Sequence, residues 1–206
     1  MTLKLNGSSS GYTAIDAPAA AGSNTLVLPA NNGSAGQMLQ TDGSGNLTWV
    51  DKPTSGLAEE DQWRVTTTFN SASTGVNSNW ERVDSRGSAG PLGTGMSESS
   101  GTFTFPSTGY WLVFFKSYCA GTEADWTQIQ IMATLNNNDM NAVARTRSAC
   151  KDADSHTSMS AQALVDVTDV SNVKVKFNVA AGAAIDWYGH TDQSETSAVF
   201  LKLGAT

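Results

Sequence analysis

Residues 101–115 read Gly101-Thr102-Phe103-Thr104-Phe105-Pro106-Ser107-Thr108-Gly109-Tyr110-Trp111-Leu112-Val113-Phe114-Phe115. Thr102–Phe105 alternates polar and aromatic side chains, the period of a strand with one buried face, and Pro106 ends it because proline donates nothing to a ladder. The following run, Tyr110–Phe115, is apolar on both faces. Trp111, Val113 and Phe115 are expected to fill a sandwich, which leaves Tyr110, Leu112 and Phe114 to be covered by something else. The outer face of an antiparallel sandwich is normally wet, so an apolar one implies a subunit interface or a covering loop. The run is far too short to span a bilayer, and no membrane insertion is expected.

The same strand grammar extends outward on both sides. Trp63–Phe69 is rich in β-branched and aromatic residues, and Trp80–Val83 follows it. Gln128–Leu135 places Ile129, Ile131, Ala133 and Leu135 on one face before the Asn136-Asn137-Asn138-Asp139 turn. Ala161–Val167, Val173–Val179 and Ala198–Leu203 complete the set. No window shows a 3.6-residue period. Many short strands between turn signals predict an all-β sandwich or barrel. A segment of this length buries roughly two-thirds of its surface on folding and can stand alone.

Residues 1–50 are different. Their only charges are Lys4, Asp16 and Asp42, and Gly-Ser recurs between the short apolar runs Leu3–Leu5, Tyr12–Ile15, Leu26–Leu28, Met38-Leu39 and Leu47–Val50. The runs at 38–39 and 47–50 flank Asp42-Gly43-Ser44-Gly45-Asn46, a five-residue loop whose glycines permit a tight reversal; this predicts a hairpin. An isolated hairpin is marginal in water, so the region reads as short strands and hairpins held by other chains, with a flexible linker as the alternative. Asp51-Lys52-Pro53-Thr54-Ser55-Gly56 marks the boundary, and Leu57–Asp61 offers one helical turn at most. The expected organisation is an extended N-terminal region, 1–57, and a head domain, 58–206.

The net charge of the 206-residue chain is −7, and no basic run exists to neutralise phosphates, which argues against nucleic-acid binding. Met1–Asn6 lacks the apolar segment of a signal peptide, so synthesis and folding in a cytoplasm are expected. Cys119 and Cys150 are the only cysteines. They are either reduced buried thiols or a disulfide formed later, outside the cell.

Chemical motifs are sparse. Gly7-Ser8-Ser9-Ser10-Gly11 matches the nucleophile-elbow pattern but sits in low-complexity sequence, without the strand, helix and partners an elbow needs. Asp152-Ala153-Asp154-Ser155-His156 has oxygens and an imidazole but lacks the glycine and distal glutamate of a calcium loop. His190 reads as a loop-tip residue. No catalytic, cofactor-binding or metal-ligating residue is expected. Trp126 and the Trp187-Tyr188 pair are candidate receptor-contact aromatics, because exposed rings near loops stack on sugar C–H faces; the alternative is that they finish the sandwich ends or a subunit contact.

The segment 101–115 resembles the central part of the C1q/TNF-like jelly roll, a Phe-containing strand, Pro, Gly and then an aromatic-rich strand. Ser158–Val167 with Val173–Phe177 resembles two consecutive strands of that family, and Thr196–Leu203 its closing strand; the similarity covers about residues 62–206. The resemblance implies a homotrimer whose aromatic-rich and closing strands lie nearest the threefold axis, with Leu112, Phe114, Val199 and Leu201 at the interface. The collagen-like stalk of some animal members is missing. Instead, Gly11–Pro29 and Gly33–Val50 resemble N-terminal segments of bacteriophage virion proteins. Together these imply a non-enzymatic virion protein: a tail fibre or appendage docked on other virion proteins through residues 1–57, with a C1q-like head presented to a host-surface glycan or protein. A capsid decoration, cement or head-fibre protein is the alternative, and a polysaccharide depolymerase a further one.

Overall fold

The computed structural model describes residues 3–52, 56–85, 87, 90–121 and 123–206. Two compact units divide the chain, residues 1–55 and 56–206. Of the expected boundary, Pro53, Thr54 and Ser55 lie outside the described residues.

The first unit consists of two hairpins. β1 (Leu3–Asn6) pairs with β2 (Tyr12–Ile15), and the Gly7–Gly11 stretch that mimics a nucleophile elbow is simply their turn, closed by Gly7 N donating to Gly11 O at 3.0 Å. β3 (Gln37–Thr41) pairs with β4 (Leu47–Asp51), with Thr41 opposite Leu47, so the connecting loop is the expected Asp42–Asn46. Asp42 organises it: its carboxylate accepts from Ser44 N at 2.7 Å and from Asn46 Nδ2 at 2.6 Å. Those bonds hold the Asp42 carboxyl below its ordinary range, the Asn46 side chain foremost. Gly45 has φ +97°, and a Cβ there would run into the Thr25 carbonyl oxygen, because Val27 bridges to this loop. Trp49 Nε1 donates to Asn31 O at 2.9 Å. Yet none of the described residues from 3 to 52 is buried, and Leu3, Leu5, Tyr12, Ile15, Leu26 and Leu28 are all more than half exposed.

The second unit holds the core. Its strands are β5 (Glu60–Val65), β6 (Phe69–Gly75), β7 (Trp80–Arg82), β8 (Ser97–Ser99), β9 (Thr102–Thr104), β10 (Gly109–Ala120), β11 (Ala124–Thr134), β12 (Asn141–Cys150), β13 (His156–Val167), β14 (Lys174–Trp187) and β15 (Ser197–Gly204). One sheet runs β13-β10-β15-β5-β7; the other runs β12-β11-β14, with β6 and β9 on the far side of β14. All pairings are antiparallel, and the two sheets join where Cys119 and Ala120 of β10 meet Trp187 and Asp186 of β14. Alternation then decides the interior. Trp111, Val113 and Phe115 point inward, as the sequence predicts, and meet Phe103, Phe177 and Phe200. Phe115 and Phe177 stack at 4.6 Å, and Phe103 stands edge-on to Trp80 at 5.1 Å.

Several expectations are corrected here. No helix occurs among the described residues; Glu60 and Asp61 open β5 instead of closing a helical turn. Phe69 begins β6 rather than ending the preceding strand. β11 stops at Thr134, so Ile129, Ile131 and Ala133 are buried while Leu135 is 70% exposed. β12 was not expected: Asn141-Ala142-Val143-Ala144-Arg145-Thr146-Arg147 carries little apolar signal, because it is a largely exposed edge strand. Cys119 and Cys150 are free thiols, both fully buried, with Cys150 Sγ 3.9 Å from the Cys119 carbonyl oxygen. Burial, and then the neighbouring thiol, push Cys119 up to about 12.

Candidate binding surfaces

Leu112 and Phe114 alternate out of the core on β10, and Val199 and Leu201 do the same on β15; all four are half-buried. Strand register brings them together. Leu164 of β13, Leu112 and Leu201 form one row that continues through Glu60 of β5 to Leu92. Gln162, Phe114, Val199 and Gln62 form the next. Glu60 is raised above the ordinary carboxyl range, first by burial and then by Asp61 beside it. Leu164, which the sequence reading missed, is 61% exposed. It also lines an apolar cleft of about 510 Å³ with Ala133, Leu135 and Val143. Asp166 lines the same cleft, and its Oδ1 is buried with no hydrogen-bond partner.

The candidate aromatics separate into three situations. Trp126 is 40% exposed, stacks under the Arg147 guanidinium at 5.5 Å, and lies against Gly182. Tyr188 is half-buried beside Tyr118, whose ring centroid is 5.1 Å away. Tyr118 stacks on His156 and shares a 2.8 Å hydrogen bond between its hydroxyl and His156 Nδ1. Trp187 is a correction. It is fully buried, pairs with Cys119 at the seam of the two sheets and donates Nε1 to Ser71 O at 3.0 Å, so no ligand reaches it. In Trp187-Tyr188 alternation turns one ring inward and leaves the other at the surface.

The remaining chemical groups are structurally committed. Lys202 Nζ lies 3.0 Å from Glu59 Oε1 and 2.7 Å from Ser107 Oγ, and Ser107 Oγ is 2.6 Å from the same Glu59 oxygen. A serine beside a lysine has the outline of a nucleophile and its base. Here the ammonium donates to both neighbours and the serine proton is directed at Glu59, so the trio braces the turn after Pro106 against β5. Asp61, fully buried, accepts from Trp63 Nε1 at 2.8 Å, from Met96 N at 2.7 Å and from Arg82 Nε at 3.1 Å. Around Asp152–Ser155 the backbone forms a turn, with Ser155 N donating to Asp152 O at 2.9 Å. His190 Nδ1 accepts from Asp192 N at 2.9 Å. Among the described residues no three His, Cys, Asp or Glu side chains gather in a group suited to a metal ion.

Two antiparallel sheets closed around an aromatic core, with an apolar outer face on one of them, define an all-β TNF-like jelly roll. Among solved structures, murine APRIL at pH 5.0 is similar with a TM-score of 0.52 at 12% identity, over 70% of this chain and 98% of that one. Eiger TNF from S. frugiperda is similar with a TM-score of 0.55 at 12% identity, over 71% of this chain and 93% of that one. No family model matches the chain, and no curated protein sequence matches it.

Proposed function

We propose that the chain is a non-enzymatic bacteriophage virion component, a homotrimeric tail fibre or appendage that docks through residues 1–57 and presents its jelly roll to a host surface. The observation that carries this reading is that none of the first unit's described residues is buried: Leu3, Leu5, Leu26, Leu28, Ile15 and Tyr12 stay in water unless another chain covers them. A region of this kind is stable only within an assembly. The likeness of residues 1–50 to phage virion segments supports the particle as that assembly.

Trimerisation is supported by the second unit. A threefold ring is a head-to-tail contact and needs two different patches that fit each other. The Leu164–Leu112–Leu201 and Phe114–Val199 rows supply one, and the far wall of the cleft, Leu135 and Val143, supplies the other. A neighbour's donor at that cleft satisfies Asp166 Oδ1. Three copies of the head make weak individual contacts with a host surface add up.

Gold-labelled antibody on intact particles tests the placement. Label at the tail tip or on a tail appendage is expected. Label confined to the capsid would overturn the host-attachment reading in favour of a decoration or head-fibre protein, which the same coreless N-terminal region would also serve.

A further inference from the structure

The outer face of the β12-β11-β14 sheet differs from the rest of the surface. Register places Arg147 of β12, Gln128 of β11, Ala180 of β14 and Ser73 of β6 in one row. Arg145, Gln130, Asn178 and Gly75 form the next, followed by Met132 and Lys176. No carboxylate occupies these rows, although the chain has 19 acidic residues against 12 basic ones. Among the described residues Arg145, Arg147 and Lys176 form no ion pair with any carboxylate. Lys174, next along β14, is excluded from this set, because it donates to Val170 O and faces Asp169. Successive outward residues on a strand stand about 7 Å apart and neighbouring strands about 4.8 Å, so the three cations span a patch one strand wider than a hairpin. At its edge Arg147 is held in place, donating to Gln128 Oε1 at 2.7 Å while it lies over the Trp126 ring.

We infer that this face binds an acidic polysaccharide, the inference resting on the host-surface reading above and naming the ligand class. Guanidinium groups recognise carboxylates and sulfate esters through paired N–H donors. The amides of Gln130 and Asn178, interleaved between the cations, suit sugar hydroxyls, which both donate and accept. Trp126 offers an apolar ring to a sugar face. A single-stranded nucleic acid fits less well: its successive bases need several stacking rings, and this set of residues brings one, Trp126.

Binding of the full-length protein to immobilised alginate, dextran sulfate, neutral dextran and poly(dT) tests this, with alginate and dextran sulfate separating carboxylate from sulfate recognition. Expected are binding to at least one acidic glycan, none to dextran, and a loss of at least about tenfold in the R145A/R147A/K176A variant together with most of the salt dependence. Trp126→Ala is expected to lose about fivefold with the salt dependence kept. Lys116→Ala, an exposed charge removed from β10 of the other sheet, should bind like the parent. All the replaced side chains lie at the surface, and an unchanged melting temperature shows the variants folded. Three results overturn the inference: equal binding by the triple variant, dextran competing as well as the acidic glycans, or poly(dT) binding more tightly than either. Adsorption to host cells separates the two readings. If parent and triple variant adsorb equally, this site fails and host attachment stands. If the protein binds acidic glycan but no host cell, host attachment fails and the site stands.

Discussion

Residues 3–52 and residues 56–206 are both built of antiparallel strands joined by tight turns, yet they solve opposite problems. In the second unit each strand sends alternate residues into a shared interior, and every buried apolar side chain of the described chain lies between Trp63 and Phe200. The first unit has comparable local order, with two closed hairpins and a loop organised by Asp42, but none of its described residues is buried. Local hydrogen bonding and turn chemistry are therefore enough to shape strands. Burial, which supplies most of the free energy of folding, requires a second layer.

The contrast makes graded predictions. Phe177→Ala removes a ring that meets Phe115, Phe103, Trp80 and Phe200, and should cost about 3–5 kcal/mol in thermal unfolding of the head. Leu28→Ala in the first unit should change the same transition by less than about 0.5 kcal/mol in the unassembled protein. A comparable loss at Leu28 would mean that the N-terminal region has a core of its own. Asp61→Asn leaves Arg82 beside a neutral amide at a buried position and should cost about 3 kcal/mol, read by denaturant unfolding.

Leu112→Asp tests whether the head's own outer face is closed by copies of itself. Light scattering should report a trimer for the parent and smaller species for the variant, with the unfolding of the single head little changed. A stable monomer in the parent would remove the proposed interface.

Cys119 and Asp42 leave stability near neutral pH unchanged and act only at the extremes, with opposite sign in pH. Cys119 keeps its proton to about 12 in the fold, whereas an unfolded thiol ionises near 9. The stability this contributes is fully present below pH 9 and lost as pH rises from there towards 12, and thiol-reactive dyes should label it only after unfolding. Asp42 is held below its ordinary range, so its contribution is present above that range and disappears as pH falls through it. The Asp42 side chain is exposed, and the change should be visible as shifts of the Ser44 and Asn46 amides in an NMR titration, not in the melting temperature.

Much of this was legible before any coordinates. The alternation in 101–115 gives Thr102–Phe105 one buried face and assigns Trp111, Val113 and Phe115 to the interior, and the glycine loop at 42–46 predicts its hairpin. The exposed faces were legible only in part. Leu112, Phe114, Val199 and Leu201 could be named from their strands, but Leu164 joins their row only through the β10–β13 register. The Arg145-Thr146-Arg147 alternation was present to be read, yet β12 has so few apolar residues that it did not register as a strand. The loop beside Trp187-Tyr188 leaves open in the sequence whether these rings meet a ligand or finish the sandwich; for Trp187 the seam between β10 and β14 decides, because it encloses the ring.

Sequence by itself determined which residue of each strand faces inward, because successive side chains point to opposite faces whatever the strand pairs with. It also determined the turns, where glycine and Asp42 dictate backbone geometry locally. Only the tertiary structure decided which outward residues become neighbours. Pairings such as Leu112 with Leu164 and Leu201, or Gln130 with Arg145 and Asn178, join strands far apart in the chain, and a one-residue shift in register would exchange the faces.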